Sequence, residues 1–387
     1  MTSNLFYDFV FVGSGAAGLL CAYRMSQDPY FDQKRILLID KDVKNTHDRT
    51  WCFWENGRGE WDQILSMQWK NIIFKSDSFH KTIALENYSY KMIRSGDFYR
   101  SILKVLESKK NFEFLNDDII ALHDEKNQLK VECKNTTITC SKVLNSIFDP
   151  NVLAQNHSFP YLKQHFIGWF IETEEDVFNP EGATFMDFTV EQKGNTRFMY
   201  ILPFSKNKAL IEYTLFSADL LQDEFYEIEI TEYIKQLGIT QYKITEKEQG
   251  NIPMTCYPFE KYNSKNIIHI GSAGGWTKPS TGFTFKRITE YSQNLVDFLK
   301  LNDDLRLFSV RSRHWYYDLI FIDVLWRDNS KGSEVFSSIF RKNKIQDVLS
   351  FLDEKSNFWT ELKIMYRTSP RWLFTKSALN NIKNFFN

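Results

Sequence analysis

A glycine-rich turn close to the start of the sequence constrains this chain more than any other feature. An apolar run leads into residues 13–18 (GSGAAG), and a second apolar run, Ile36–Asp40, ends in an acid. Strand, glycine turn, helix, strand and acid in this order predict a βαβ unit that binds a dinucleotide. Asp40 is then placed to accept hydrogen bonds from a ribose diol, and an acid here argues against a ribose 2′-phosphate. The alternative is a tight glycine turn without a ligand.

The residues of the turn have different roles in such a unit. Gly13 makes the tight turn, and Gly15 lets the backbone approach a pyrophosphate. Gly18 lets the following helix pack closely on the strand. Ala16 and Ala17 begin that helix, whose N-terminal amide groups face the phosphates.

A second loop of small residues follows a short apolar run at residues 267–270. It contains Gly271, Gly274, Thr281 and Gly282 and leads into a predicted helix over 283–299. Small residues let the backbone approach a large planar ligand, and a helix N-terminus stabilises negative charge on it. Two such loops favour an extended flavin, FAD, over a mobile nicotinamide. The alternative is a glycine-rich turn that only begins a helix.

The composition excludes several classes of function. The chain of 387 residues has 48 Lys and Arg against 49 Asp and Glu, so its charge gives no case for a nucleic-acid partner. The five cysteines have neither metal-ligand nor disulfide spacing, so we expect no metal and a reducing compartment. No signal peptide and no apolar run of roughly 18 residues are present. We therefore expect a cytoplasmic protein, at most peripheral to a membrane.

The order of the predicted elements indicates an α/β fold with discontinuous domains. Residues 1–60, 88–155 and 262–300 are assigned to a Rossmann-like FAD-binding domain, within which residues 42–60 are expected to form a polar and aromatic loop. Residues 61–87 and 156–261 are assigned to an inserted antiparallel sheet on the substrate side. Residues 301–387 are predicted to be helical. Aromatic residues make up 16% of the chain, which fits an aromatic-lined cavity or simply a Phe-rich core equally well.

Further motifs carry a resemblance to a known family. They lie at residues 49–54 (RTWCFW), 185–188 (FMDF), 202–205 (LPFS), 210–217 (LIEYTLFS) and 250–254 (GNIPM). Together with the two glycine loops, they resemble the FAD-dependent lycopene cyclases of carotenoid synthesis, within the wider flavoprotein fold of isoprenoid reductases and aromatic hydroxylases. The segment around Glu212 is the most specific, because it is similar to the acidic motif of this family. The resemblance covers nearly the whole chain.

The resemblance implies a lycopene β-cyclase activity, in which linear ψ end groups become β rings without net oxidation. It implies reduced FAD as the cofactor, NAD(P)H as its reductant, and lycopene or a related linear carotenoid as the substrate. Glu212 is the expected general acid, because burial raises a carboxyl pKa. The alternative for Glu212 is an ordinary solvent-facing strand residue.

Three further residues are weaker candidates for the functional site, and two of them have an alternative structural interpretation. Asp187 is a candidate for the catalytic pocket or a structural hydrogen-bonding acid. Arg94, just before a predicted helix, is a candidate for contact with the flavin phosphates or for a surface salt bridge. Arg49 is a further candidate for binding the cofactor.

The aromatic and basic C-terminal segments 336–344 and 372–376 are candidates for core packing or for docking on lipid.

Two rival functions remain open from the sequence. The first is a different flavoenzyme, either an isoprenoid reductase or a hydroxylase, which would consume NAD(P)H with each turnover. The second is a protein that binds flavin and carotenoid without catalysis. A protein with that second function would not need Glu212 as a proton donor.

Overall fold

A computed structural model describes residues 6–125, 128–154 and 158–386 of the chain. Residues 1–5, 126–127, 155–157 and 387, which fall within the predicted domains, lie outside the described residues. In chain order, the strands are Phe6–Val12 (β1), Ile36–Asp40 (β2), Thr50–Asn56 (β3), Met67–Trp69 (β4), Asn71–Ser76 (β5), Phe79–Ala84 (β6), Tyr88–Arg94 (β7), Phe112–Asn116 (β8), Ile119–Glu125 (β9), Gln128–Cys133 (β10), Thr137–Asn145 (β11), Tyr161–Thr173 (β12), Gly182–Asp187 (β13), Thr196–Pro203 (β14), Lys208–Ser217 (β15), Tyr242–Thr255 (β16) and Ile267–His269 (β17).

The α-helices connect and cover the sheets, and those after residue 313 form the helical C-terminal region. In chain order, they are Ala16–Gln27 (α1), Ser95–Glu107 (α2), Asn151–Ala154 (α3), Asp223–Gln236 (α4), Phe285–Leu299 (α5), Arg313–Arg327 (α6), Gly332–Lys342 (α7), Ile345–Leu352 (α8), Phe358–Arg367 (α9), Arg371–Asn380 (α10) and Ile382–Phe386 (α11). None of these described helices combines the length and the hydropathy needed to cross a bilayer.

The first sheet is built on the predicted βαβ unit, which the structure confirms. Its strands follow the order β8-β2-β1-β11-β10-β9, and β8, β2, β1 and β11 are mutually parallel. Strand β11 serves two neighbours, because its first half pairs with β10 antiparallel and its second half pairs with β17 in parallel. Helices α1, α2 and α5 bury their apolar faces against this sheet in one continuous core.

The second sheet has the order β16-β12-β15-β14-β13-β5-β6. All its pairs are antiparallel except β13 with β5, which run parallel. The expected antiparallel sheet therefore has one exception, and it occurs where the two strands are separated by a long excursion through the first sheet. A crossover of that length permits the parallel direction, whereas a tight hairpin does not.

The predicted loop over residues 42–60 is wrong in its second part. Thr50–Asn56 forms strand β3, which pairs with β7 over its whole length, and β7 also pairs with β4. Aromatic side chains fit a pleated, half-buried surface well. The strand was not predicted because its partner, β7, lies more than thirty residues further along the chain.

Helices cover the second sheet on both faces. Helix α4 packs on one face, where the side chains of Ile211 and Tyr213 are buried. On the other face, helices α6, α7 and α8 enclose Leu210 and Phe216. Successive side chains of a strand point to opposite faces, so Glu212 shares the face of Leu210 and Phe216. The candidate site lies on this face.

Candidate active site

A cavity of about 800 Å³ lies between the glycine loops, the second sheet and the C-terminal helices. Its walls are rich in aromatic side chains, among them Trp51, Phe185, Phe198, Phe283, Phe336 and Phe340. Several of these, including Phe185, Phe198, Phe336 and Phe340, also belong to the buried core. The aromatic residues of the sequence thus form both a cavity lining and a buried core, the two alternatives that the composition left open.

The first glycine turn forms one end of the cavity. Gly15, Ala16 and Ala17 line it, whereas Gly13 and Gly18 support the turn from behind. Gly13 has a φ of +88°, and a Cβ on Gly18 would lie 2.4 Å from the carbonyl oxygen of Gly13. A Cβ on Gly15 would meet no atom of the described residues within 4 Å. Protein packing therefore requires Gly13 and Gly18, while the space beside Gly15 is free for a ligand.

Asp40 holds this turn in place and is not among the residues that line the cavity. Its Oδ2 accepts a hydrogen bond of 2.6 Å from the backbone N–H of Ser14. The Nζ of Lys44 lies 3.3 Å from the same carboxylate, and Lys44 does line the cavity. Asp40 thereby holds the turn in place and positions the ammonium group of Lys44 beside it.

The second glycine loop forms the adjacent wall. Gly271, Thr281 and Gly282 line the cavity, and Gly274 does not. A Cβ on Gly274 would lie 2.1 Å from the carbonyl oxygen of His269, so the close approach there is to the protein's own backbone.

Two buried polar atoms beside this loop have no hydrogen-bond partner among the described residues. They are Oε1 of Gln164 and Oγ of Ser280, and both side chains line the cavity. A buried polar atom without a partner is costly, so these atoms mark a place where a polar ligand would complete the structure.

These features together fit a dinucleotide with a large polar ring system. Helix α1 begins at the cavity and has no side-chain cap, so its first amide groups are available to a phosphate. The open space at Gly15 admits the ligand backbone, and Gln164 and Ser280 supply hydrogen bonds further along. The described residues contain no cluster of His, Cys, Asp and Glu that could hold a metal ion.

The two candidate arginines differ in their surroundings. Arg49 is exposed and lines the cavity, and it donates a hydrogen bond to the carbonyl oxygen of Asp48 at 2.7 Å. Arg94 is not among the lining residues. It donates a hydrogen bond of 2.5 Å to Glu246 and stacks over the ring of Phe170 at 4.4 Å. The structure therefore gives Arg94 an ion pair whose arginine side chain is largely buried, whereas the alternative from the sequence was a surface salt bridge.

Glu212 is buried in the cavity wall and is not a solvent-facing strand residue. Its side chain is 6% exposed, and its Oε1 accepts a hydrogen bond of 2.5 Å from the hydroxyl of Thr214. Burial, and after it the nearby carboxylate of Glu248, raises the pKa of Glu212 to about 8. A carboxyl group in this environment holds its proton at neutral pH and can donate it.

Glu248 is a second acid in the cavity wall that sequence reasoning missed. It accepts a hydrogen bond of 2.7 Å from the hydroxyl of Thr50, and burial raises its pKa. The residue lies two positions before the GNIPM motif, which was a signal in the sequence. Its relation to Glu212 depends on strand register, which the sequence does not display.

Asp187 is fully buried but is not among the residues that line the cavity. Its Oδ2 accepts a hydrogen bond from Tyr233 at 2.7 Å and lies 3.2 Å from the Nζ of Lys75. Its Oδ1 accepts from the backbone and the hydroxyl of Thr189. Burial alone would raise the pKa of Asp187, but these hydrogen bonds and the Lys75 ammonium hold it below its usual value. This is the setting of a structural acid.

The fold and the paired glycine loops define the class of this protein, a Rossmann-type α/β fold that solved flavin-dependent proteins share. A geranylgeranyl bacteriochlorophyll reductase-like protein from Thermoplasma acidophilum superimposes with a TM-score of 0.61 at 11% identity, over 97% of this chain and 99% of the other. A tryptophan halogenase from Shewanella frigidimarina gives 0.60 at 12% identity, over 98% and 94%. Halogenase PltM in complex with phloroglucinol and FAD gives 0.60 at 10% identity, over 98% and 93%.

Within this class the chain belongs to the lycopene cyclase family, whose model matches residues 8–376. It is 26% identical to a lycopene beta-cyclase of Pantoea ananas, over 72% of this chain and 71% of the relative. It is 22% identical to one from Pseudescherichia vulneris, over 80% and 79%. A chloroplastic lycopene beta cyclase of Nicotiana tabacum is 24% identical over 74% of this chain, which spans 59% of the length of that relative.

Proposed function

We propose that this protein is a lycopene β-cyclase that converts the linear ψ end groups of lycopene into β-ionone rings, giving β-carotene through γ-carotene. The observation that carries the proposal is Glu212, a carboxyl group that stays protonated near neutral pH inside an aromatic cavity. Membership of the lycopene cyclase family supports the same substrate class and reaction. The reaction is an isomerisation, so substrate and product have the same mass.

Glu212 acts as the general acid in this proposal. Its carboxyl proton adds to the terminal double bond of the end group, and the neighbouring double bond attacks the resulting cation to close the ring. The ring cation then loses a proton to the Glu212 carboxylate, which restores the acid and balances the isomerisation. Protonation of an alkene needs an acid that still carries its proton near neutral pH, and burial in the cavity wall gives Glu212 this property. The rings of Phe185 and Phe283 are parallel to within 6°, and their centroids lie 6.3 Å apart. Their faces stabilise the intermediate carbocation through cation–π interaction.

FAD is the proposed cofactor, held by the turn at Gly15, Ala16 and Ala17 and by the loop that contains Gly271, Thr281 and Gly282. Reduced FAD, when bound, supplies negative charge that stabilises the developing carbocation. NAD(P)H is the proposed reductant that keeps the flavin in this state. Gln164 and Ser280 offer polar contacts to the cofactor at the second loop.

The proposed substrate is an apolar molecule that dissolves in lipid, and the surface of α9 and α10 fits a membrane source. Tyr366, Arg371 and Thr375 are exposed and also line the cavity, so the cavity reaches the surface between these helices. Phe358, Trp359 and Leu362 lie on one exposed face of α9, and Trp372 and Leu379 lie on one exposed face of α10. We name these five residues and Tyr366 the aromatic rim.

The charge around the aromatic rim suits an anionic lipid surface. Residues 356–386 contain a single acid, Glu361, which is buried and paired with Arg313 at 2.7 Å. The same segment contains the basic residues Lys363, Arg367, Arg371, Lys376 and Lys383. Aromatic side chains flanked by basic residues are typical of helices that lie in a membrane interface. A cytoplasmic protein with peripheral membrane contact is therefore part of the proposal.

The segment from 336 to 344, the other candidate for lipid docking, contributes its first five residues largely to the core. Phe336 and Phe340 are buried against the second sheet and line the cavity. The proposed membrane contact is accordingly restricted to α9 and α10.

The experiment that tests the proposal is anaerobic turnover of lycopene by the purified protein with chemically reduced FAD and no nicotinamide. Products are followed by absorbance and mass, with Glu212→Gln in parallel. We expect a cyclised product of unchanged mass from the parent protein only. A product heavier by hydrogen or oxygen would assign the chain to the reductase or hydroxylase reactions. Bound lycopene with an unchanged spectrum would indicate a carotenoid-binding protein.

A further inference from the structure

Glu212 and Glu248 occupy equivalent positions on the two strands that flank β12. Glu212 on β15 and Glu248 on β16 are both in register with Gly168. Residues directly opposite each other in a sheet point to the same face, so the two carboxyl side chains border the same space above Gly168. A Cβ on Gly168 would lie 3.4 Å from Cβ of Glu212 and 3.4 Å from Cγ of Glu248. The nearest atom to this Cβ would be Cδ1 of Leu210 at 2.8 Å, so the Leu210 side chain packs beside the two acids on the same face.

The row continues onto a fourth strand, because Tyr200 on β14 is in register with Glu212. The hydroxyl of Tyr200 is 2.6 Å from the hydroxyl of Tyr90 on β7. Burial raises the pKa of both phenols well above the usual value, so they stay neutral. Burial likewise raises the pKa of the nearby Cys52 thiol on β3 to about 12. The only charged neighbour of Glu212 among these groups is Glu248.

The surroundings of Glu248 favour its ionised form over that of Glu212. Thr50 donates a hydrogen bond to Oε2 of Glu248, and the guanidinium groups of Arg94 and Arg49 counteract the effect of burial on its pKa. Glu246, on the same strand, opposes this effect but forms its own ion pair with Arg94. Among the residues that the structure describes, Glu212 accepts a hydrogen bond only from the hydroxyl of Thr214. Of two neighbouring carboxyl groups, the one with cationic neighbours ionises first and the other keeps the proton.

We propose that Glu248 is a positioning residue whose carboxylate, anchored by Thr50, keeps the proton on Glu212 across the gap at Gly168. At neutral pH the pair of acids holds one proton. Because residue 168 is a glycine, it adds no side chain of its own that would weaken the electrostatic interaction between the two carboxyl groups. The catalytic meaning of this pair rests on the proposed function. The shared proton itself needs neither substrate nor cofactor.

Infrared titration of the purified protein tests this proposal without turnover. The band of a buried protonated carboxyl group is followed against pH, and its loss in Glu212→Gln assigns it to Glu212. We expect Glu248→Gln to move the midpoint of this band to lower pH, because removal of the neighbouring charge eases ionisation of Glu212. Glu248→Asp, which keeps the charge, should restore most of the midpoint. Glu172→Gln changes an exposed acid of the same sheet and should leave it unchanged.

Thr50→Val provides a second test that preserves both acids. Without the Thr50 hydroxyl the charged form of Glu248 is less stable, so the proton moves toward Glu248 and the midpoint of Glu212 again falls. An unchanged midpoint in both Glu248→Gln and Thr50→Val overturns the proposal. If the variants shift the midpoint of the Glu212 band but the parent protein does not cyclise lycopene, the proposed function is refuted. The proposed interaction between Glu248 and Glu212 is then still supported.

Discussion

Gly271 and Ala17 are in direct contact, and this contact joins the two glycine-rich loops of the chain. Gly271 has a φ of +60°, and a Cβ there would lie 2.7 Å from Cβ of Ala17. The loops are separated by most of the chain, yet they meet at the N-terminus of α1. A single extended ligand can therefore contact both loops. The following predictions concern that ligand, the acid in the cavity and the surface at its mouth.

Gly15→Ala is expected to weaken FAD binding by at least about tenfold while leaving the free energy of unfolding within about 0.5 kcal/mol of the parent. The backbone of Gly15 has a φ of −71°, which alanine adopts without strain, and the added Cβ would have no atom of the described chain within 4 Å. Only a bound ligand would meet the methyl group. Flavin fluorescence titration measures the affinity, and urea unfolding measures the stability.

Gly18→Ala is the matched control for this experiment. Its Cβ would lie 2.4 Å from the carbonyl oxygen of Gly13, so we expect a loss of about 1–3 kcal/mol in unfolding free energy. Unchanged FAD affinity in a folded Gly15→Ala protein would show that the cofactor does not approach this turn.

Glu212→Gln is expected to reduce cyclisation by about 10²–10⁴-fold, the usual contribution of a general acid. The same change should stabilise the protein by about 1–3 kcal/mol near pH 7.5. In the unfolded chain Glu212 ionises above about 4.5, whereas the folded protein keeps its proton up to about 8. The folded state therefore binds more protons between these values, and its stability falls as the pH rises through them. Gln removes this loss. Turnover and urea unfolding at two pH values provide the measurements.

The pH dependence of turnover should follow the protonation of Glu212. Because the acid form is the active form, we expect kcat to be constant below about pH 8 and to fall about tenfold for each pH unit above it. Initial rates with reduced FAD between pH 5.5 and pH 9.5, roughly the range over which a raised carboxyl titrates, give the profile. A rate that already falls about tenfold for each pH unit from the lower end of this range would mean that Glu212 is not the proton donor.

Asp187→Asn is expected to lower the unfolding free energy by about 2–4 kcal/mol, because it removes a buried charge that Tyr233, Thr189 and Lys75 all contact. Turnover per folded molecule should remain within about threefold of the parent, since Asp187 does not line the cavity. Thermal unfolding and rates normalised to bound flavin separate the two effects. A large loss of turnover with normal stability would restore the catalytic interpretation.

Trp359→Ser with Trp372→Ser is expected to reduce binding to vesicles of phosphatidylcholine and phosphatidylglycerol by at least about tenfold. These residues are 77% and 61% exposed and belong to the aromatic rim. Vesicle flotation measures the binding. Phe225→Ser removes an aromatic residue on α4 that is 54% exposed and lies across the second sheet from the rim, and it should have no effect. Equal binding by all variants would exclude the rim as the contact.

The sequence predicted those parts of the fold and site that depend on neighbours along the chain. The βαβ unit follows from the turn at residues 13–18, and the second glycine loop and helix α5 follow from small residues before an amphipathic run. Glu212 was identified by the resemblance of its segment to the acidic motif of the lycopene cyclase family, because the local pattern alone also allowed a solvent-facing strand residue. Strand β3 and the parallel pairing of β5 with β13 were not predicted, because each depends on a partner strand far away in the chain.

The sequence by itself therefore determined the nucleotide-binding turn, the helical C-terminal region and the alternation of side chains along β15. Only the tertiary structure decided which face of β15 borders the cavity, because both faces are apolar and α4 covers one of them. It also brought Glu248 into register with Glu212 across Gly168. Local patterns fix the period of a strand, but its register and the cover of each face come from packing between distant segments.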